Sequence, residues 1–98
     1  MQVNETLTEI VRGRTIELVT KEEGLVTFVF NDRSTMQVKV TGGPAMNMLG
    51  EGRIELVEED GAEFILFGEN DRRATLRLAA PGSSVTVRNN VGVVEYAG

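Results

Sequence analysis

The chain contains no cysteine, no histidine and no tryptophan. Without cysteine there is no disulfide, no thiolate zinc site and no cysteine nucleophile. Without histidine the commonest general base and the commonest transition-metal ligand are both missing. Lysine is scarce, with only Lys21 and Lys39 among the ten basic residues. No apolar run approaches the ~18 residues that a membrane helix requires. The opening MQVNETLTEI has neither the basic nor the apolar segment of a secretory signal. The expectation is a soluble, cytoplasmic protein with no cofactor, no metal and no membrane partner.

What is present fits one globular domain over residues 1–98. Hydrophobic residues at 41% and charged residues at 26% of a 98-residue chain are enough for one core and argue against wholesale disorder. The net charge is -5, and an acidic chain repels nucleic acid unless its cations cluster.

Periodicity places a short helix first. Leu7, Ile10 and Val11 share one stripe, Asn4 or a Thr6–Glu9 capping box starts it, and Gly13 ends it. Strand alternation follows. RTIELVT sets Ile16 and Leu18 on one face against Glu17. LVTFVF sets Val26, Phe28 and Phe30 against Leu25, Thr27 and Val29. TMQVKV sets Met36, Val38 and Val40 inward. In the linker TGGPAMNMLGEG, Pro44 is expected to start a single helical turn that Gly50 stops.

The pattern then restarts. Ile54 and Leu56 follow Ile16 and Leu18 at a spacing of 38, and Ile65 and Phe67 follow Phe28 and Phe30 at 37. Leu76 and Leu78 mark a third strand, and VTVR and VGVVEY supply two more. Lys21-Glu22-Glu23-Gly24 and Glu58-Glu59-Asp60-Gly61 occupy matching places, as do Asn31-Asp32-Arg33 and Asn70-Asp71-Arg72. A type I turn with a left-handed glycine predicts G1-bulge hairpins at Gly24 and Gly61. The fold class is therefore mainly β. It is an antiparallel small barrel or curved sandwich of two three-stranded meanders (13–41 and 52–80), with C-terminal strands and a short N-terminal helix.

The acidic group Glu55, Glu58, Glu59, Asp60 and Glu63 lacks the alternating ligand spacing of a calcium loop and reads as a solvated hairpin tip. Arg73 and Arg77 share a strand face, and Arg88 joins them if the seventh strand pairs with the sixth, making possible anion contacts. No aromatic residue interleaves with them to stack bases, so nucleic acid is not the expected partner. Ser34, Ser83 and Ser84 have no histidine to activate them, leaving only a serine–lysine arrangement with Lys21 or Lys39. The glycines form neither a dinucleotide fingerprint nor a P-loop.

A small helix followed by bent antiparallel strands resembles, in outline, the Sm-like RNA-binding barrel. VRNNVGVVEY (87–96) faintly echoes that family's second motif, while the Asp and Met-Asn pattern of its first has no counterpart. That resemblance implies an RNA-binding or small-ligand barrel.

The central strands read as apolar on both faces, with Leu25, Val29, Phe64 and Leu66 facing away from the Phe28, Phe30, Ile65 and Phe67 side. Something must cover the second face. The expectation is a non-catalytic interaction or assembly module that forms a homodimer, using Leu25, Val29, Phe64, Leu66, Val93 and Tyr96 as its interaction surface. The alternative from another class is an acidic inhibitor that mimics a polyanion, which needs its carboxylates on one continuous face.

Overall fold

The computed structural model describes residues 2–43, 45–47, 49–50 and 52–98. A two-residue strand, β1 (Gln2–Val3), leads into the helix α1 (Glu5–Val11). The Asn4 side chain caps α1 by accepting from the Leu7 N–H at 3.0 Å, so the cap is Asn4 and not the Thr6–Glu9 box. Gly13 follows with φ +85°, the left-handed geometry that ends a helix cheaply. Leu7 and Val11 are buried and Ile10 is half-buried, so the apolar stripe faces the core.

The remaining strands are β2 (Ile16–Glu22), β3 (Leu25–Phe30), β4 (Thr35–Lys39), β5 (Ala45–Met46), β6 (Ile54–Asp60), β7 (Glu63–Gly68), β8 (Arg73–Arg77), β9 (Val85–Arg88) and β10 (Val94–Ala97). They form two antiparallel five-stranded sheets, ordered β1-β6-β7-β8-β5 and β10-β9-β4-β3-β2. The architecture is a sandwich. One apolar core lies between the sheets, with Phe28, Phe30 and Phe64 its largest side chains. Two of the ten strands, β1 and β5, hold two residues each and are too short to announce themselves by alternation. β5 also replaces the expected helical turn: Ala45 and Met46 pair with Thr75 and Ala74, while Pro44 lies outside the described residues.

The repetition in the sequence is a structural repeat with one constant spacing. Ile16 and Ile54 open equivalent strands, Glu22 and Asp60 close them, and Phe30/Gly68 and Lys39/Arg77 keep the same separation of 38. The hydrogen bonds repeat too: Val40 N–H to Gly24 C=O matches Leu78 N–H to Ala62 C=O, and Asn31 N–H to Thr15 C=O matches Glu69 N–H to Arg53 C=O. Val40 and Leu78, themselves equivalent, pair with each other in an antiparallel bridge that joins the two sheets. Around it, Thr41 N–H donates to Arg77 C=O and Ala79 N–H to Lys39 C=O, each bond the image of the other. An approximate twofold axis passes through this bridge.

The constant spacing corrects the expected faces of β7. Its partner for Phe28 is Leu66 and for Val26 is Phe64, both fully buried, while Ile65 and Phe67 point outward and are half-buried. A one-residue slip inverts every side chain of a strand, and the spacing of 37 made that slip. Leu18 is also reversed. In β2 the register shifts between Ile16, opposite Phe30, and Leu18, opposite Val29, so a bulge turns Leu18 outward (55% exposed) and Val19 inward. The second copy repeats the bulge between Ile54 and Leu56, burying Val57.

The hairpins differ from expectation in one respect. Glu22 pairs with Leu25 and Asp60 with Glu63, so both loops hold two residues and neither carries a G1 bulge. Gly24 (φ +74°) is the second loop residue, as in a type II turn, and Gly61 (φ +58°) is the first, as in type II′. The bulged turn lies instead between β3 and β4. There Arg33 N–H donates to Phe30 C=O, Phe30 N–H donates to Ser34 C=O, and Arg33 itself takes the left-handed position at φ +69°.

Candidate interaction surfaces

The two ends of the sandwich are held differently, and the repeat makes the difference visible. In both copies the outermost strand of the repeat, β2 or β6, sends alternate backbone groups away from its hairpin partner. On β6 these groups are all engaged. Gln2 and Val3 pair with Glu59 and Glu58, and Asn4 N–H donates to Val57 C=O at 2.8 Å. Val57 N–H donates to the buried Thr8 hydroxyl at 3.0 Å, Arg12 Nε to Glu55 C=O, and Gly13 N–H to Ile54 C=O. The segment from Gln2 to Gly13 thus seals the β6 edge.

The equivalent edge on β2 is sealed at one point. Leu49 bridges Ile16, and Gly50 N–H donates to Ile16 C=O. Beyond it β2 is the terminal strand of its sheet, with Glu17, Leu18, Thr20, Lys21 and Glu22 exposed. Val19 and Lys21 are the counterparts of Val57 and Glu59, so their N–H and C=O groups point outward into solvent.

The far end of this sheet is less open. β10 pairs with β9 on one side and α1 packs against it. Tyr96 turns inward, half-buried, and its hydroxyl accepts from Asn4 Nδ2 at 2.9 Å; the same amide donates to Glu59. Val93 lies at the exposed β9–β10 tip with Val91 and Val94. Leu25 and Val29 point outward from β3, half-buried. Of the six residues expected on one interaction surface, Phe64 and Leu66 belong to the core, Tyr96 faces inward, and Leu25, Val29 and Val93 remain outward.

The expected arginine group is split. Arg73 and Arg77 flank Thr75 on the outer face of β8, where Arg77 pairs with Glu63 and the Arg73 guanidinium lies 5.3 Å from the centre of the Phe67 ring. Arg88 is on the other sheet, because β9 pairs with β4 and not β8; its Nη1 donates to Gln37 Oε1 at 3.2 Å. The acidic group divides as well, since Glu58 lies opposite outward Ile65 and Glu59 opposite buried Phe64. Among the described residues no group of three or more acidic side chains is placed to hold a metal ion. No helix among them is long and apolar enough to cross a membrane.

Sequence reasoning missed Arg14, which organises the corner between α1, the β3–β4 turn and β10. Its Nη1 donates to Ser34 Oγ at 2.9 Å, its Nε lies 3.4 Å from Asp32 and its Nη2 3.3 Å from Glu95, with the Phe30 ring beneath it at 5.7 Å. Asp32 also accepts from the Ser34 hydroxyl and N–H. Burial works against its ionisation, but those hydrogen bonds and the Arg14 charge outweigh it, holding the carboxyl below its ordinary range. Ser34 is therefore a buried structural hydroxyl. Ser84 is likewise engaged, donating to Ala80 C=O at 2.7 Å and accepting from Ala80 N–H.

A hollow of about 340 Å³ lies beside the β7–β8 turn, floored by Leu56 and Phe67 and rimmed by Glu55, Asp71 and Arg73. It is open to solvent on one side. Comparison with protein-family models, curated proteins and solved structures finds no match to this chain.

Proposed function

We propose that the protein is a non-catalytic interaction module that joins protein chains by strand addition at β2. The observation that carries this reading is the row of outward N–H and C=O groups at Val19 and Lys21, whose counterparts on β6 are sealed by the chain's own N-terminal segment. An extended segment laid along such an edge gains main-chain hydrogen bonds at once. The reading is non-catalytic because Ser34 and Ser84 are buried in structural hydrogen bonds and the exposed Ser83 has no histidine in the chain to activate it.

Charge geometry supports a scaffold over a polyanion mimic. Carboxylates are carried by α1 (Glu9), the β2–β3 hairpin (Glu22), the β6–β7 hairpin (Glu63), the β7–β8 turn (Asp71) and β10 (Glu95), so they are distributed over the helix and both sheets.

The test is capture on the immobilised protein, set against Lys21→Pro. Proline removes an edge N–H that no hairpin bond uses, a change that edge strands tolerate. Partners retained by the wild type and lost by Lys21→Pro, with both proteins equally folded by circular dichroism, support the proposal. A partner set indifferent to the proline refutes it.

A further inference from the structure

We infer that the strand added at β2 is β2 of a second copy, antiparallel, with Val19 on the twofold axis. This rests on the edge-binding reading above and names its partner.

Edge strands often carry lysine to discourage pairing, because an added strand would bury an uncompensated charge. In β2 the charges are arranged to the opposite effect. Backbone direction restricts antiparallel registers to those that match outward-pointing positions with one another, and Val19 and Lys21 are such positions. Glu17 is a third at its carbonyl, since the carbonyl of its counterpart Glu55 is the one that accepts from Arg12. A register centred on Lys21 sets two lysines face to face. One centred on Thr20 sets Lys21 against Val19. One centred on Val19 sets each Lys21 opposite Glu17 of the second copy, twice by symmetry. Opposite charges directly across a strand pair are favourable, and like charges are not.

The same register places Leu18, the one leucine of β2 and 55% exposed, opposite Thr20 of the second copy, so its side chain gains a neighbour on the outer face. Val19, half-buried against the core, meets its own copy on the inner face. The two five-stranded sheets then run on as one ten-stranded sheet, and the bulge at Ile16–Leu18 marks where the added strand ends on each side. A twofold dimer closes on itself, so the pairing consumes the open edge and does not propagate.

Light scattering after size exclusion, across a concentration series, measures both the mass and the dissociation constant. The expected mass is twice the 10.7 kDa of one chain. Glu17→Lys and Lys21→Glu are each expected to weaken the dimer by about tenfold, because two symmetry-related pairs turn repulsive together. The double exchange, Glu17→Lys with Lys21→Glu, restores the wild-type constant. Both side chains are exposed, so the folded monomer tolerates these changes. A monomeric mass at all concentrations overturns the inference, as does a dimer whose constant ignores the single exchanges or is not restored by the double one. The broader reading fails separately, when the partner set is indifferent to Lys21→Pro.

Discussion

Replacing Thr8 by valine deletes one oxygen and keeps the shape of the side chain. Thr8 is almost wholly buried on α1, and its hydroxyl accepts the Val57 N–H at 3.0 Å. That N–H points away from β7 and is beyond the reach of β1, whose pairing along β6 ends at Glu58. In Thr8→Val it is left buried without an acceptor, at a cost of about 1–3 kcal/mol. Helix propensity barely distinguishes threonine from valine, so the local term is small. For a domain of this size roughly 2 kcal/mol lowers Tm by about 8–16 °C. Thr8→Ser is the control: it keeps the acceptor and loses one buried methyl, about 0.8 kcal/mol. Thermal and urea unfolding should therefore rank wild type above Thr8→Ser above Thr8→Val, and the Val57 amide should exchange faster in the valine variant alone. If Thr8→Val melts at or above Thr8→Ser, the claim that this bond seals the β6 edge is wrong.

Gly24→Ala and Gly61→Ala should each destabilise by about 1 kcal/mol or more in urea titrations, because alanine is strained at φ +74° and +58°; unchanged midpoints for both would contradict the turn geometry. Arg33→Gly should raise stability by roughly 0.5 kcal/mol, since relief of the left-handed strain exceeds the flexibility that glycine adds to the unfolded chain. The depressed carboxyl of Asp32 contributes stability that is present above the ordinary aspartate pKa and lost as pH falls through the lower folded value. The stability gap between wild type and Asp32→Asn should thus be constant above about pH 5 and narrow below about pH 4; a gap that widens on acidification would reverse the assignment.

The alternation of β4 reads directly from the sequence because Met36 and Val38 alternate with polar residues, and β3 keeps a phase because Thr27 interrupts its outer face. β7 does not, for a definite reason. Phe64 to Phe67 are four apolar residues in succession, so alternation carries no phase, and a spacing of 37 fits as readily as 38. Gly24 and Gly61 also stand 37 apart, because they occupy different loop positions, second in one hairpin and first in the other. The bulges were hidden by IELV itself, which reads as clean alternation whether or not one residue is extra. The open edge of β2 was out of reach as well, because what seals β6 is a two-residue strand and a threonine hydroxyl far away in the chain. Arg14 lies between α1 and β2, and its partners come from the β3–β4 turn and from β10, far from it in the chain.

The exchange of strands between the repeats has a kinetic consequence. β1 belongs to the sheet of the second repeat and β9–β10 to the sheet of the first, so Gln2 must find Glu59 and Val38 must find Val85 before either sheet is complete. The β2–β3 and β6–β7 hairpins close over two residues and can form early and independently. The pairings that lock them are separated by about half the chain, and the entropy of closing such loops is spent before their contacts repay it. Folding accordingly belongs with the slow all-β domains, in milliseconds to seconds, and its barrier lies in bringing the chain's two ends across to the opposite halves.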